Sequence, residues 1–156
     1  MNAEHINPFV QGAQSTLCMI SSESPSLGSL SLKKAPFKLR NVSIFVDIFG
    51  DIDGHVVFTL NVADACMIAS KMMGGAAVMS LDSMAGSALS ELGNMIAGNI
   101  ATKFSIKGIN VDISTPRLKI DASGSDFSFV PPGMAMICIP LTFTDGLVFE
   151  LDIFIS

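Results

Sequence analysis

The chain has 156 residues and a net charge of −5, and we expect so acidic a protein to bind no nucleic acid, whose phosphates it would repel. Its composition is 49% hydrophobic and 15% charged, as in many membrane proteins, but the longest charge-free run, residues 127–144, contains three prolines and cannot be a spanning helix. We therefore expect a single soluble, cytoplasmic domain over residues 1–156, with no membrane contact.

The N-terminal segment predicts an amphipathic helix over residues 3–20, because its apolar residues recur at helical spacing. Pro8 is either the first helical residue behind an Asn7 cap or the site of a kink within a helix that starts near Asn2. The segment 21–32 that follows is rich in Ser, Gly and Pro, and it predicts a loop leading into a short edge strand.

The next segments predict a β-hairpin and a short helix. Two strands, 42–49 and 56–60, flank the turn residues 50–54. Residues 63–73 then predict a helix, with Asn61 as its N-cap and the pair Gly74-Gly75 as its stop signal.

The longest helix signal runs from Asp82 to Lys103, with Ser80 or Asp82 as its N-cap, and sorts into three faces. A broad apolar arc is formed by Met84, Ala85, Ala88, Leu89, Leu92, Met95, Ile96 and Ile100. A face of small residues, which another backbone can approach closely, is formed by Gly86, Ser90, Gly93, Ala97 and Ala101. The third face carries Ser87, Glu91, Asn94 and Gly98 at i, i+4, i+7 and i+11.

The C-terminal third returns to strand patterns. Strands are predicted at 109–113 and 117–120, on either side of Pro116, and a short one at 127–130. A long hairpin follows, with strands at 134–143 and 147–155 and a turn at Asp145-Gly146. Strands that pair mostly in hairpins, together with the helices, predict an α+β fold with a largely antiparallel sheet and helices on one face.

Metal and redox sites have little support in this sequence. The histidines, His5 and His55, are far apart and have no ligand-spaced Cys or His. The turn 51–54 resembles part of a calcium loop but lacks the closing Glu. Three cysteines lie far apart among apolar neighbours, which predicts reduced, buried thiols: Cys18, Cys66 and Cys138. We expect this chain to bind no metal and no cofactor.

Two interpretations of the third face remain open. Polar residues at this spacing are typical of a solvated helix face. Against that, no Lys or Arg lies at i+3 or i+4 from Glu91 to pair with it, and Gly93 and Gly98 cost about 1 kcal/mol each in helix propensity. Asn99 falls inside the apolar arc, where we expect its amide to satisfy loop backbone.

The third face also carries a family resemblance. Ser87-x-x-x-Glu91-x-x-Asn94, followed by Pro116, resembles the signature of the CheC, CheX and FliY family of chemotaxis phosphatases. The N-terminal sequence, the length and the order of helices and hairpins resemble the CheX branch most. Pro116 comes one residue earlier than the usual spacing. The pair Glu4-x-x-Asn7 fits the short motif too, but Asn7 precedes a proline at a helix start, so we expect one active helix per chain.

The resemblance implies a CheC-like fold and hydrolysis of the aspartyl phosphate of a CheY-type response regulator in chemotaxis signalling. It assigns to Asn94 the holding of a water in line with the acyl phosphate, and to Glu91 a pairing with the receiver's lysine. It implies that Ser87, Gly98 and Pro116 contact the partner. It also implies that Mg²⁺ is bound by the receiver, and that the chain forms a homodimer joined through its sheet.

Two other functions are compatible with the sequence. One is a non-catalytic module that binds a response regulator or acts as a flagellar switch scaffold, with the fold retained and the activity lost. The other is a self-assembly module, because long apolar strands at the C-terminal end of the chain can offer edges for pairing.

Overall fold

The computed structural model describes residues 3–120 and 130–156. All but the last residue of the strand predicted at 127–130 lies outside these described residues. Three helices are present among them, α1 (Ala3–Ser21), α2 (Val62–Met72) and α3 (Ser83–Ile106). The strands are β1 (Ser26–Leu27), β2 (Ser31–Lys34), β3 (Val42–Gly50), β4 (Gly54–Leu60), β5 (Val111–Ile113), β6 (Arg117–Ile120), β7 (Ala135–Thr142) and β8 (Val148–Ile155).

The strands form one antiparallel sheet in the order β1-β7-β8-β4-β3-β5, in which β2 also pairs with β7 and β6 also pairs with β3. The predicted hairpins β3-β4 and β7-β8 make up its centre. The α+β prediction is therefore confirmed. The long C-terminal strands do not offer free edges, however, because β8 is paired with β4 and β7 with β1 and β2. The self-assembly interpretation was wrong on this point, since the edges are the short strands.

The three helices cover one face of the sheet and enclose the larger part of the core. The inward residues of β3 alternate, for example Ile44 and Val46, as expected for a strand with one face toward the helices. Helix α1 lies close against α3, because Gly12 has no side chain to hold them apart: a Cβ there would be 2.7 Å from Ile100 Cγ1. A smaller apolar cluster on the other face includes Phe45 and Phe154.

Pro8 lies within α1 rather than at its first position, so the helix starts before Asn7, as the second of the two N-terminal alternatives has it. A proline has no amide hydrogen, and the carbonyl four residues before it loses its helical partner. That carbonyl belongs to Glu4, and Lys107 Nζ approaches it at 3.4 Å.

The buried face of α3 is rotated toward the small residues. Gly93 and Ala97 are buried together with the apolar Leu92, whereas Met84 is 65% exposed and not part of the core. Met84 belongs to the apolar arc of the sequence but lies outside the core, in the first turn of α3. The row formed by Ser87, Glu91 and Asn94 consequently points away from the core.

Two further expectations were wrong. The Asn99 amide donates from Nδ2 to Thr16 Oγ1 on α1 at 3.1 Å, so it joins two helices and does not satisfy a loop. Among the cysteines, which are all free, only Cys138 is buried, while Cys18 is exposed and Cys66 half-buried. Apolar neighbours in sequence do not bury a helical thiol when they occupy a different face of the helix.

Asp152 of β8 is a buried carboxyl on the sheet face opposite the helices. Neither of its oxygens has a hydrogen-bond partner among the described residues. Burial, followed by the neighbouring Glu150 carboxylate, raises the pKa of Asp152 from 3.8 to about 7. The native state thus holds this proton more tightly than the unfolded chain does.

This raised pKa predicts a pH-dependent stability. The stabilising contribution of protonated Asp152 is fully present below about pH 4 and is lost as the pH rises through about 7. Asp152→Asn should therefore flatten the fall in the free energy of unfolding over this range, by a few kcal/mol at about 1.4 kcal/mol per pKa unit. Urea denaturation of both proteins between pH 5 and 8 measures it. An unchanged slope would show that Asp152 is already ionised in the native state.

Candidate functional site

An open cleft of about 610 Å³ lies between α3 and the segment that joins β5 to β6. One wall is the exposed side of α3, and the other wall consists of residues of the β5-β6 connection and of β6. The residues that line the cleft are Ser83, Gly86, Ser87, Ser90, Glu91, Asn94, Thr115, Pro116 and Leu118.

The helical wall is oriented by the start of α3. Asp82 has extended backbone, and its Oδ1 accepts from the Ala85 amide at 2.8 Å, so Asp82 rather than Ser80 is the N-cap. With the start of the helix held, successive turns place Ser87, Glu91 and Asn94 on the side away from the sheet. All three side chains are exposed and line the cleft.

Four of the five predicted site residues come together in this cleft. Pro116 joins Ser87, Glu91 and Asn94 although it is one residue early in the sequence. Gly98 lies one turn beyond Asn94, is half-buried, and does not line the cleft.

Gly93 allows α3 to approach both the sheet and the opposite wall. A Cβ at this position would lie 2.7 Å from Ile44 Cγ2 on β3 and 3.5 Å from Pro116 Cβ. A larger residue would have to push α3 outward. The absence of a side chain therefore keeps Pro116 next to the turn that carries Glu91 and Asn94.

The cleft is nearly neutral, with a single ionisable group. Among the residues that line it, Glu91 alone is charged, and the other polar groups are hydroxyls and the Asn94 amide. Such a lining can bind an ammonium group through the carboxylate and can hold water through the amide. It offers no positive side chain to a phosphate, so a phosphoryl group that enters must bring its own counter-charge.

Comparison with known proteins identifies the family. Residues 42–142 match the family described as Chemotaxis phosphatase CheX. A protein of Thermotoga maritima named CheY-P phosphatase CheX is 30% identical over 156 residues, which cover 98% of this chain and 96% of that protein. The chain belongs to the CheX family of chemotaxis phosphatases.

Solved structures show the same fold. A CheC-like superfamily protein from Shewanella sp. PV-4 has a TM-score of 0.80 and 25% identity, with 100% of this chain and 99% of that chain covered. A CheX from Borrelia burgdorferi, solved as a CheX-CheY-BeF3-Mg²⁺ complex, has a TM-score of 0.78 and 28% identity, with 97% of each chain covered. The CheC-like fold expected from the sequence is thereby confirmed.

Outside the cleft, the acidic turn of this CheX homologue has a structural role. Asp51 Oδ2 accepts from the Asn110 amide at 2.8 Å, and Asp53 Oδ1 accepts from the Gly50 amide at 3.3 Å. Together, the two carboxylates thus hold the β3-β4 turn and the residue that precedes β5. Within residues 3–120 and 130–156, no three His, Cys, Asp or Glu side chains cluster as metal ligands would.

None of the helices that the structure describes combines the length and the apolar character needed to span a membrane.

Five residues of the cleft were not among the predicted site residues. They are Ser83, Gly86, Ser90, Thr115 and Leu118. Gly86 and Ser90 did belong to the predicted small-residue face, and Ser83 extends the polar row by one turn before Ser87. Thr115 carried no signal, because its place opposite α3 depends on how β5 and β6 pair with β3.

Proposed function

We propose that this CheX homologue hydrolyses the aspartyl phosphate of a CheY-type response regulator, and that α3 enters the receiver's phosphorylation site. The observation that carries the proposal is the exposed row of Ser87, Glu91 and Asn94 along one cleft. It is supported by the Thermotoga maritima relative, named a CheY-P phosphatase, and by the Borrelia burgdorferi relative, solved together with CheY. Residues 1–156 would act as one phosphatase domain in the cytoplasm.

Asn94 holds the attacking water in this mechanism. An acyl phosphate is already reactive, so its hydrolysis is accelerated mainly by placing a water in line with the phosphorus, and positioning is worth roughly 7 to 11 kcal/mol in favourable cases. A side-chain amide both donates to and accepts from such a water. Because it is neutral, it also approaches the phosphoryl oxygens without repulsion.

Glu91 pairs with the lysine of the receiver. Its carboxylate is exposed and is the one charge among the residues lining the cleft, so a docking ammonium group meets an acceptor with no competing cation beside it. The counter-charge for the phosphoryl group comes from the receiver, whose bound Mg²⁺ takes up the charge that develops on the transferring oxygens. This chain contributes geometry rather than a metal.

Ser87, Gly98 and Pro116 contact the docked receiver. Ser87 lies one turn before Glu91 on the same side of α3, and Pro116 forms part of the facing wall. Gly98 lies beyond the cleft, where a Cβ would meet no atom within 4 Å. Its bare surface leaves room for a loop of the partner.

We also propose a homodimer joined through the sheet. On the side away from β7, strands β1 and β2 pair with no described strand, and two of their apolar side chains are exposed, Leu27 at 48% and Leu32 at 71%. Unpaired edges with exposed apolar residues are prone to pair with a second copy. Light scattering at micromolar concentration should report twice the monomer mass, whereas a monomer would contradict the proposal.

The activity is tested by mixing the protein with a phosphorylated CheY-type regulator and following phosphate release. Release should be faster than the regulator's own rate, because the water is held in line only when α3 is docked. An unchanged rate with tight binding would make the protein a non-catalytic regulator-binding module. An unchanged rate without binding would reject the regulator as a partner.

A further inference from the structure

The wall that faces α3 is a β-bulge. Both β5 and β6 pair with β3, and Ile48 lies opposite Ile113 while Phe45 lies opposite Arg117. Two residues of β3 between these pairs, 46 and 47, therefore face the three residues 114–116. A bulge bends its strand and redirects side chains, and bulges recur beside active sites. Proline is tolerated there because the extra residue donates no ladder hydrogen bond.

Asp47 of β3 binds the bulge on both sides of Pro116. Before it, the Ser114 amide donates to the Asp47 carbonyl at 2.9 Å, and Ser114 Oγ accepts from the Asp47 amide at 2.9 Å. After it, Arg117 donates from Nη1 to Asp47 Oδ2 at 3.0 Å and from Nη2 to Oδ1 at 3.2 Å. A bidentate pair of this kind restricts the orientation of the arginine side chain more than a single hydrogen bond does.

The carboxylate is supported from a second direction. His55 Nδ1 of β4 lies 2.9 Å from Asp47 Oδ1, on the sheet face opposite the helices. The hydrogen bonds from Arg117 lower the pKa of Asp47 below its ordinary 3.8 against the opposing effect of burial. Asp47 is thus charged at neutral pH and keeps its hold on Arg117.

The held segment is the one that closes the cleft. Thr115 and Pro116 line the cleft together with Glu91 and Asn94, and Pro116 lies beside Gly93, the residue that precedes Asn94. The wall beside the Asn94 amide is therefore held by backbone pairing with β3 and, on the other face of the sheet, by the contact between the Asp47 carboxylate and Arg117.

We propose that Asp47 is a positioning residue: its carboxylate holds Arg117, next to the Ser114 that its backbone binds, so that Thr115 and Pro116 confine the phosphorylated loop of the receiver against Asn94. The inference rests on the proposed function of the cleft. Asp47 touches neither the receiver nor the water. Its effect is on the geometry in which Asn94 works, and errors of about 1 Å in such geometry can cost up to about a hundredfold in rate.

The test compares Asp47→Asn, Arg117→Gln and the double variant. Each single variant should lower the rate of phosphate release at saturating protein about tenfold, while the affinity for a CheY-BeF3-Mg²⁺ complex changes less than threefold. The double variant should be no slower than either single one, since all three lose the same contact. Lys71→Gln is the control, because it likewise removes one positive charge, on α2 and outside the cleft lining, where Lys71 Nζ lies 5.9 Å from the centre of the Phe143 ring. It should keep the parental rate.

Thermal melting of each variant establishes that it is folded at the assay temperature. A parental rate in folded Asp47→Asn would overturn the proposal, and so would additive losses in the double variant. If the parent protein releases no phosphate, the proposed function has failed, and the positioning claim is decided by the backbone amide NMR shifts of Gly93, Asn94 and Thr115. Shifts that move in Asp47→Asn but not in Lys71→Gln support it, and unmoved shifts reject it.

Discussion

Replacing Asn94 with alanine should slow the release of phosphate from a phosphorylated CheY-type regulator on the order of a hundredfold. Asn94 carries the one side-chain amide among the residues that line the cleft. Its removal leaves the water without the group that both donates to it and accepts from it. Binding should change little, because Glu91 and the facing wall remain. Single-turnover release at saturating protein measures the chemical step separately from docking.

Asn99→Ala is the matched control for Asn94→Ala. It removes an amide from the same helix, but one that bonds to Thr16 on α1 rather than lining the cleft. Asn99→Ala should cost about 1 kcal/mol of stability and leave the rate per folded molecule unchanged. If Asn94→Ala released phosphate as fast as the parent, the water-holding role would have to be given to another group.

Helix α3 shows which features of the site could be predicted from the sequence. Its period of about 100° per residue placed Ser87, Glu91 and Asn94 in one row, and the structure places them in one cleft. The same period placed Leu89, Leu92 and Ile96 on the apolar arc, and these residues are buried. It did not indicate that Gly93 and Ala97 of the small-residue face are buried beside them. Gly93 is buried since the sheet approaches where a side chain is missing, and hydrophobicity does not encode that.

The wall of the cleft opposite α3 could not be predicted from the sequence, for a different reason. Pro116 was found through the family signature, but Thr115 and Asp47 were not. Their roles follow from a one-residue change of register between strands that are far apart in the chain. Periodicity predicts which residues share a face of one element, whereas register between elements depends on tertiary pairing.

Reversing the charge of Glu91 should weaken docking more than removing it. Glu91→Gln is expected to raise the Kd for a phosphorylated regulator or its BeF3-Mg²⁺ complex about tenfold, because the receiver's lysine loses its ionic partner. Glu91→Lys should raise it on the order of a hundredfold, since two ammonium groups would then face each other in a cleft that excludes water on docking. Titration calorimetry or fluorescence titration measures both values.

The salt dependence separates this pairing from a general charge effect. Asp112→Lys is the control, because Asp112 is an exposed carboxylate on β5 outside the cleft lining, and its reversal changes the net charge by the same two units. It should alter affinity little at 0.15 M salt, where exposed charges more than about 8 Å apart are screened. Glu91→Lys should stay weak at that salt, since a contact desolvated on docking is screened much less. Equal losses in the two variants would mean that the acidity of the whole chain attracts the receiver, and Glu91 would no longer be its specific partner.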